Sequence, residues 1–151
     1  MNTADKEIKS SRYSVFKLSD KFFALEIFNI KEVLERPAIT YLPNTKAHFL
    51  GVFNLRGKII TLVDVRQLLA LDQPDNDTAS MVIIIEFDHV IAGILVDQVM
   101  DFMPIEEIKI QLPSRKTPTA IAKYILGFVE KENFGTIYLL DLVKLIQSMR
   151  I

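Results

Sequence analysis

Apolar positions along the chain fall into short blocks separated by polar punctuation, a pattern of β-strands rather than long helices. Residues 12–18 (RYSVFKL) alternate weakly and predict a strand. Ser19-Asp20 predicts a tight turn, and residues 21–27 (KFFALEI) a second strand. Residues 28–43 (FNIKEVLERPAITYLP) predict a helical turn followed by an extended stretch. Pro37 stops any helix there, because it removes a donor and restrains Arg36. Residues 46–51 (KAHFLG) predict a short helical turn ended by Gly51. The block 51–69, GVFNLRGKIITLVDVRQLL, reads as buried strand running into a helix start, with Asp64 as N-cap. Residues 72–80 (DQPDNDTAS) form the clearest loop. MVIIIEF and VIAGILV predict a hairpin around Asp88-His89, two residue types that tolerate left-handed backbone. IKIQL (108–112), a loop around SRKTPT (114–119), strands near ILGFVEKE (125–132) and GTIYLLD (135–141), and a helix LVKLIQSM (142–149) complete the chain. Short strands dominate and no parallel crossover is evident. The expectation is therefore antiparallel barrels or sandwiches with a few short helices.

An internal repeat sharpens this. GVFNLRGKIITLVDVRQLL and GFVEKENFGTIYLLDLVKLI share a Gly followed by apolar residues, a polar turn with a second Gly, a β-rich run, and an Asp opening an apolar helix. Gly51 thus matches Gly127, Gly57 matches Gly135, and Asp64 matches Asp141. FALEIFNIKEV matches IAGILVDQV more loosely, and the pair Leu42-Pro43 matches Leu112-Pro113. Two related halves of about five strands each predict two small β-barrels related by a pseudo-twofold axis and packed through apolar faces. Features present in both halves are read as structural. Gly51, Gly57, Gly127 and Gly135 are assigned to backbone conformation or close packing, and Asp64 and Asp141 to helix capping. Features confined to one half are the candidates for function. Asn54-Leu55-Arg56-Gly57 is one; its counterpart EKENFG is an ordinary charged turn.

Composition narrows the chemistry. The 151 residues are 50% apolar, enough for one or two small cores, with a net charge of −1 that builds no field for nucleic acid. The absence of cysteine excludes disulfides, thiolate metal sites and a thiol nucleophile. His48 and His89 lie in different predicted elements, without HxxxH or HExxH spacing, and read as a packed and a turn histidine. There is no GxSxG, and no Gly-rich phosphate loop. Glu106-Glu107 and Asp75/Asp77 read as solvated loop charge. No catalytic residue, cofactor or metal is expected. Residues 1–12 read as a loose polar tail before a single domain at 13–151. With no secretory apolar stretch and no membrane-length apolar run, the expected location is cytoplasmic. A binding or scaffolding module follows by elimination; a small-molecule-binding β-protein is the other reading.

Together, FALEIFNIKEVL, YLP, HFLGVFNLRGKIITLVDVRQLL, IAGILVDQV and GTIYLLDLVKLI resemble the CheW family of chemotaxis coupling proteins, across nearly the whole chain. The resemblance implies two five-stranded SH3-like barrels around a shared apolar core, and no enzymatic activity. It implies an adaptor between the cytoplasmic tips of chemoreceptors and the regulatory domain of the histidine kinase CheA, with no nucleic-acid or direct membrane contact. A related adaptor in another pathway, such as pilus-based motility, shares that pattern. The resemblance places Arg56 near a receptor-facing groove, with Ile30, Glu32 and Val33 contributing to docking and Val99 lining the same groove. Read from the residues alone, Arg56 has a second possible role, bracing its own barrel through backbone or Glu32, and Ile30 and Val33 have one as core residues.

Overall fold

The computed structural model describes residues 9–43, 48–72 and 79–149. Ten strands, three short α-helices and two single turns of 3-10 helix make up the chain there. β1 (Ser10–Leu18) and β2 (Lys21–Glu26) form a hairpin. A 3-10 turn (Ile27–Asn29) leads to β3 (Ile30–Glu35), followed by β4 (Phe49–Leu55), β5 (Lys58–Val63) and α1 (Val65–Leu68). A second hairpin, β6 (Met81–Phe87) and β7 (Val90–Val96), precedes β8 (Gln98–Glu106) and a second 3-10 turn (Glu107–Lys109). α2 (Thr119–Lys123), β9 (Ile125–Lys131), β10 (Gly135–Leu140) and α3 (Leu142–Met149) follow.

The strands form two five-stranded sheets, β8-β1-β2-β10-β9 and β3-β6-β7-β5-β4. Adding five to each strand number of the second order, and counting round past ten, gives the first. The repeat therefore governs the topology, but not as the sequence suggested. Neither sheet is built from one half. The chain makes β1 and β2 in the first sheet, crosses at the Ile27–Asn29 turn, and builds the whole second sheet from residues 30–96. It returns through Asp97 to finish the first. The halves have exchanged their hairpins, and the exchange creates a parallel pair in each sheet, β2 with β10 and β5 with β7. Those pairs correct the all-antiparallel expectation. Each sheet also keeps two edge strands, so the expected barrels are curled sheets without a closing strand pair.

Three apolar clusters result. Tyr13, Val15, Ala24, Ile105, Val129, Ile137 and Leu139 fill the first curl. Phe53, Ile60, Leu62, Ala79, Val82, Ile84 and Leu95 fill the second. A larger cluster between them takes Phe16, Leu18 and Phe23 from the first sheet, Ile83, Ile85 and Ile94 from the second, and Val65, Leu145 and Ile146 from α1 and α3. The inner strands send alternate residues to a curl interior and to the shared cluster. This explains runs such as MVIIIEF, which are apolar on both faces.

Local differences from the sequence reading have local causes. Ser10 and Ser11, assigned to the tail, belong to β1 and pair with β8; residues 1–8 lie outside the described residues. Phe49–Gly51, read as the end of a helical turn, are strand, while residues 46 and 47 of that turn lie outside the described residues. β8 was not foreseen because Pro104 and exposed Met100 and Phe102 obscure its alternation. It is an edge strand, where a proline is tolerated. The repeat alignment also slips by one. Thr40 bridges Val52, and Gln111 bridges Phe128, so Tyr41 stands with Leu112 and Leu42 with Pro113. The Asp88-His89 turn has φ of 51° and 63°, a left-handed pair.

Candidate docking site

Arg56 sits at the tip of the β4–β5 hairpin. A two-residue connection needs positive φ at both positions to match strand twist. Arg56 has φ 50° and Gly57 φ 88°, and Asn54 Oδ1 accepts a hydrogen bond from the Gly57 N–H at 2.8 Å. The NLRG stretch is thus a complete turn: Asn closes it, Gly permits it, and Arg points outward from a rigid base. Its guanidinium donates two parallel hydrogen bonds to Glu32, Nη1 to Oε2 at 2.8 Å and Nη2 to Oε1 at 2.9 Å. Glu32 lies on β3, the opposite edge of the same sheet. The ion pair therefore spans the seam that the strands leave open. It roofs a pocket of about 180 Å³ lined by Leu55, Ile60, Ile84 and Ile91, with Lys31 and Lys58 at its rim. The hydrogen bonds from Arg56 hold the Glu32 carboxyl below its ordinary range and raise the guanidinium in turn. Lys31 pairs with Glu86 at 2.9 Å beside it.

The other residues assigned to the groove lie elsewhere, Ile30 and Val33 on β3 and Val99 on β8 of the other sheet. β3 carries an irregularity between Ile30 and Glu32, so its register to β6 slips at Lys31. Ile30 and Val33, three residues apart, consequently both pack on the central cluster, whereas Leu34 packs into the second curl. Val99, on β8 opposite Phe16, packs on the central cluster too. The structure thus brings Arg56 and Glu32 together at one mouth. It sends Ile30, Val33 and Val99, all half-buried, to the shared core from the edge strands β3 and β8.

A second charged arrangement escaped the sequence reading. Asp64 caps α1, its Oδ1 accepting from the Arg66 N–H at 3.1 Å, and also receives Arg66 Nε at 2.9 Å and Nη2, at Oδ2, at 2.7 Å. Arg66 Nη1 lies 3.8 Å from Asp97 Oδ1, and Asp97 Oδ2 accepts the Ser19 N–H at 2.6 Å. Asp64 and Arg66 are each only 3% exposed. The missed signal was available: Asp64-Val65-Arg66 aligns with Asp141-Leu142-Val143, so Arg66 is another one-half-only residue. In the second half, Asp141 Oδ1 accepts from the Lys144 N–H at 3.3 Å. Among the described residues no group of three or more His, Cys, Asp or Glu could hold a metal ion. Asp75 and Asp77 lie outside them. His48 is buried against Phe49, its Nε2 3.1 Å from the Ser148 carbonyl oxygen. No helix among the described residues is long and apolar enough to cross a membrane.

Comparison with known proteins places this architecture. The chemotaxis protein CheW of Thermotoga maritima is 28% identical over 151 residues, covering 100% of this chain and 97% of that protein. Protein PilI of Pseudomonas aeruginosa is 29% identical over 119 residues, covering 78% and 66%. The crystal structure of the scaffolding protein TtCheW from Thermoanaerobacter tengcongensis superposes with a TM-score of 0.77 at 28% identity, covering 88% of this chain and 90% of that one. The family model for the CheW-like domain matches residues 12–150, and the chain belongs to that family.

Proposed function

We propose that this protein is a chemotaxis adaptor, working in the cytoplasm by contact and without turnover. It couples the cytoplasmic tips of chemoreceptors to the regulatory domain of the kinase CheA. The observation that carries this reading is the CheW-like match over residues 12–150 on a two-sheet fold. The Arg56–Glu32 fork supports a docking role at the receptor side. It is exposed, rigidly based and set over an apolar pocket, so a helical partner can meet a cation, a carboxylate and aliphatic side chains together. Ile30, Val33 and Val99, half-buried on the edge strands β3 and β8 and packed on the shared core, are proposed to add apolar contacts for the receptor.

Replacing Arg56 by Glu sets two carboxylates against each other. Binding of a receptor-tip fragment is expected to weaken at least tenfold. Binding of the kinase regulatory domain and the cooperativity of unfolding should persist. Titration calorimetry with each partner, alongside a melting curve, checks this. Unchanged receptor binding would remove Arg56 from docking. Protein PilI matches at an identity similar to that of the CheW relative, so the pathway served is to be read from the receptor captured.

A further inference from the structure

The internal duplication supplies a control for surface features, because a position in one half can be compared with its counterpart in the other. The parallel pairs fix the alignment. Leu62 pairs with Gly93 and Leu139 with Ala24, and Asp64 and Asp141 follow β5 and β10 at the same distance. By this register Arg66 corresponds to Val143, and Asp97 to Phe28. In the first case an arginine folds back onto its capping aspartate and is buried. In the second the position holds a valine that is 47% exposed, and Phe28 is 93% exposed.

Beside Val143 the surface opens into a groove of about 210 Å³. Its walls include Leu126, Phe87, Asn29 and Val143, and two carboxylates face it, Asp141 and Glu26; among the described residues no lysine, arginine or histidine lines it. Among the described residues, the Asp141 carboxylate accepts one long bond, from the Lys144 N–H to Oδ1 at 3.3 Å. Among the described residues, the Glu26 carboxylate receives the Tyr13 hydroxyl at 3.5 Å. The groove is thus an apolar slot with an under-used carboxylate at its end, at the place where the other half carries a guanidinium forked onto Asp64.

We propose that this groove is a docking slot for an arginine side chain of a partner protein, whose guanidinium forks onto Asp141 as Arg66 does onto Asp64. Charge selects the occupant, since two carboxylates without a cation favour a positive group. The fork geometry and the aliphatic walls favour arginine over lysine, because a planar guanidinium meets a carboxylate through two parallel bonds while its stem covers apolar surface. The site is separate from the Arg56–Glu32 mouth, so the two can fail independently.

The test is an amide NMR titration of the whole protein with the peptide acetyl-Leu-Arg-Leu-amide and its isosteric, uncharged citrulline analogue. The arginine peptide is expected to shift Leu126, Asp141 and Val143 saturably, and the citrulline peptide to bind at least tenfold more weakly. Val143→Arg supplies the side chain internally and should abolish the shifts. Asp141→Asn, which keeps the helix cap, should weaken binding at least tenfold and serves if the first variant fails to fold. Equal binding of both peptides, shifts spread away from the groove, or shifts that survive in Val143→Arg would overturn the assignment. Self-association of the free protein that Val143→Arg abolishes would also overturn it, in favour of a second copy as the occupant.

Discussion

The Arg56–Glu32 fork ties the two edge strands of its sheet, and the docking role we propose for it would use the same groups. Glu32 is held below its ordinary range first by hydrogen bonds from Arg56, then by nearby positive charge. The unfolded chain leaves that carboxyl at its ordinary, higher value. The pair therefore stabilises the fold at all pH values above the unfolded value, and that contribution is lost as pH falls through the depressed folded one. The stability difference between the native protein and Glu32→Gln, followed by urea denaturation, should accordingly shrink toward zero in acid and plateau near neutrality. A difference that grows in acid would contradict the pairing. The exposure of both groups makes the same fork open to competition, so an incoming carboxylate can take Arg56 while an incoming cation takes Glu32.

At the level of elements, the glycines separate two physical demands that sequence alone leaves merged. A Cβ on Gly51 would lie 2.2 Å from the Thr40 carbonyl oxygen, and one on Gly127 2.4 Å from that of Gln111. These are the two places where an isolated bridge presses against an edge strand. Gly57 and Gly135 meet nothing within 4 Å but have φ of 88° and 72°. Gly127→Ala is expected to cost about 3 kcal/mol by overpacking against backbone. Gly57→Ala should cost about 1 kcal/mol, from backbone strain alone. Chemical denaturation of the two variants checks the order, and equal costs would contradict the distinction. The matching of these glycines was legible because backbone demands select one residue type whatever surrounds them. The exchange of hairpins was not legible, because strand pairing across more than a hundred residues leaves no local pattern. Nor was the Lys31 irregularity: it moves Ile30 and Glu32 to different surroundings without any change in composition. The Arg56–Glu32 contact stood among the alternatives read from the chain. The Asp64–Arg66–Asp97 network did not, since its members occupy ordinary helix-start and strand-end positions.

For the whole molecule, that network sits where the chain recrosses between sheets. Asp97 joins β7 of one sheet to β8 of the other and also holds the β1–β2 turn through Ser19, while Arg66 ties it to α1. Arg66→Ala would leave the buried Asp64 carboxylate without its forked guanidinium partner and is expected to cost about 3–5 kcal/mol, read from urea unfolding. A loss below about 1 kcal/mol would mean that water reaches the site and screens it. Fixing the two sheets rigidly to one another matters for an adaptor, because two partners bound on separate faces sense each other only through a stiff connection. The same bivalence sets the most direct test. Receptor-tip fragments and the kinase regulatory domain are co-sedimented over a wide range of concentrations of this protein. Kinase recovered with receptor should rise, pass through a maximum and fall once excess protein occupies each partner separately. Recovery that stays at baseline, or that rises to a plateau without falling, would contradict a one-to-one bridge between the two.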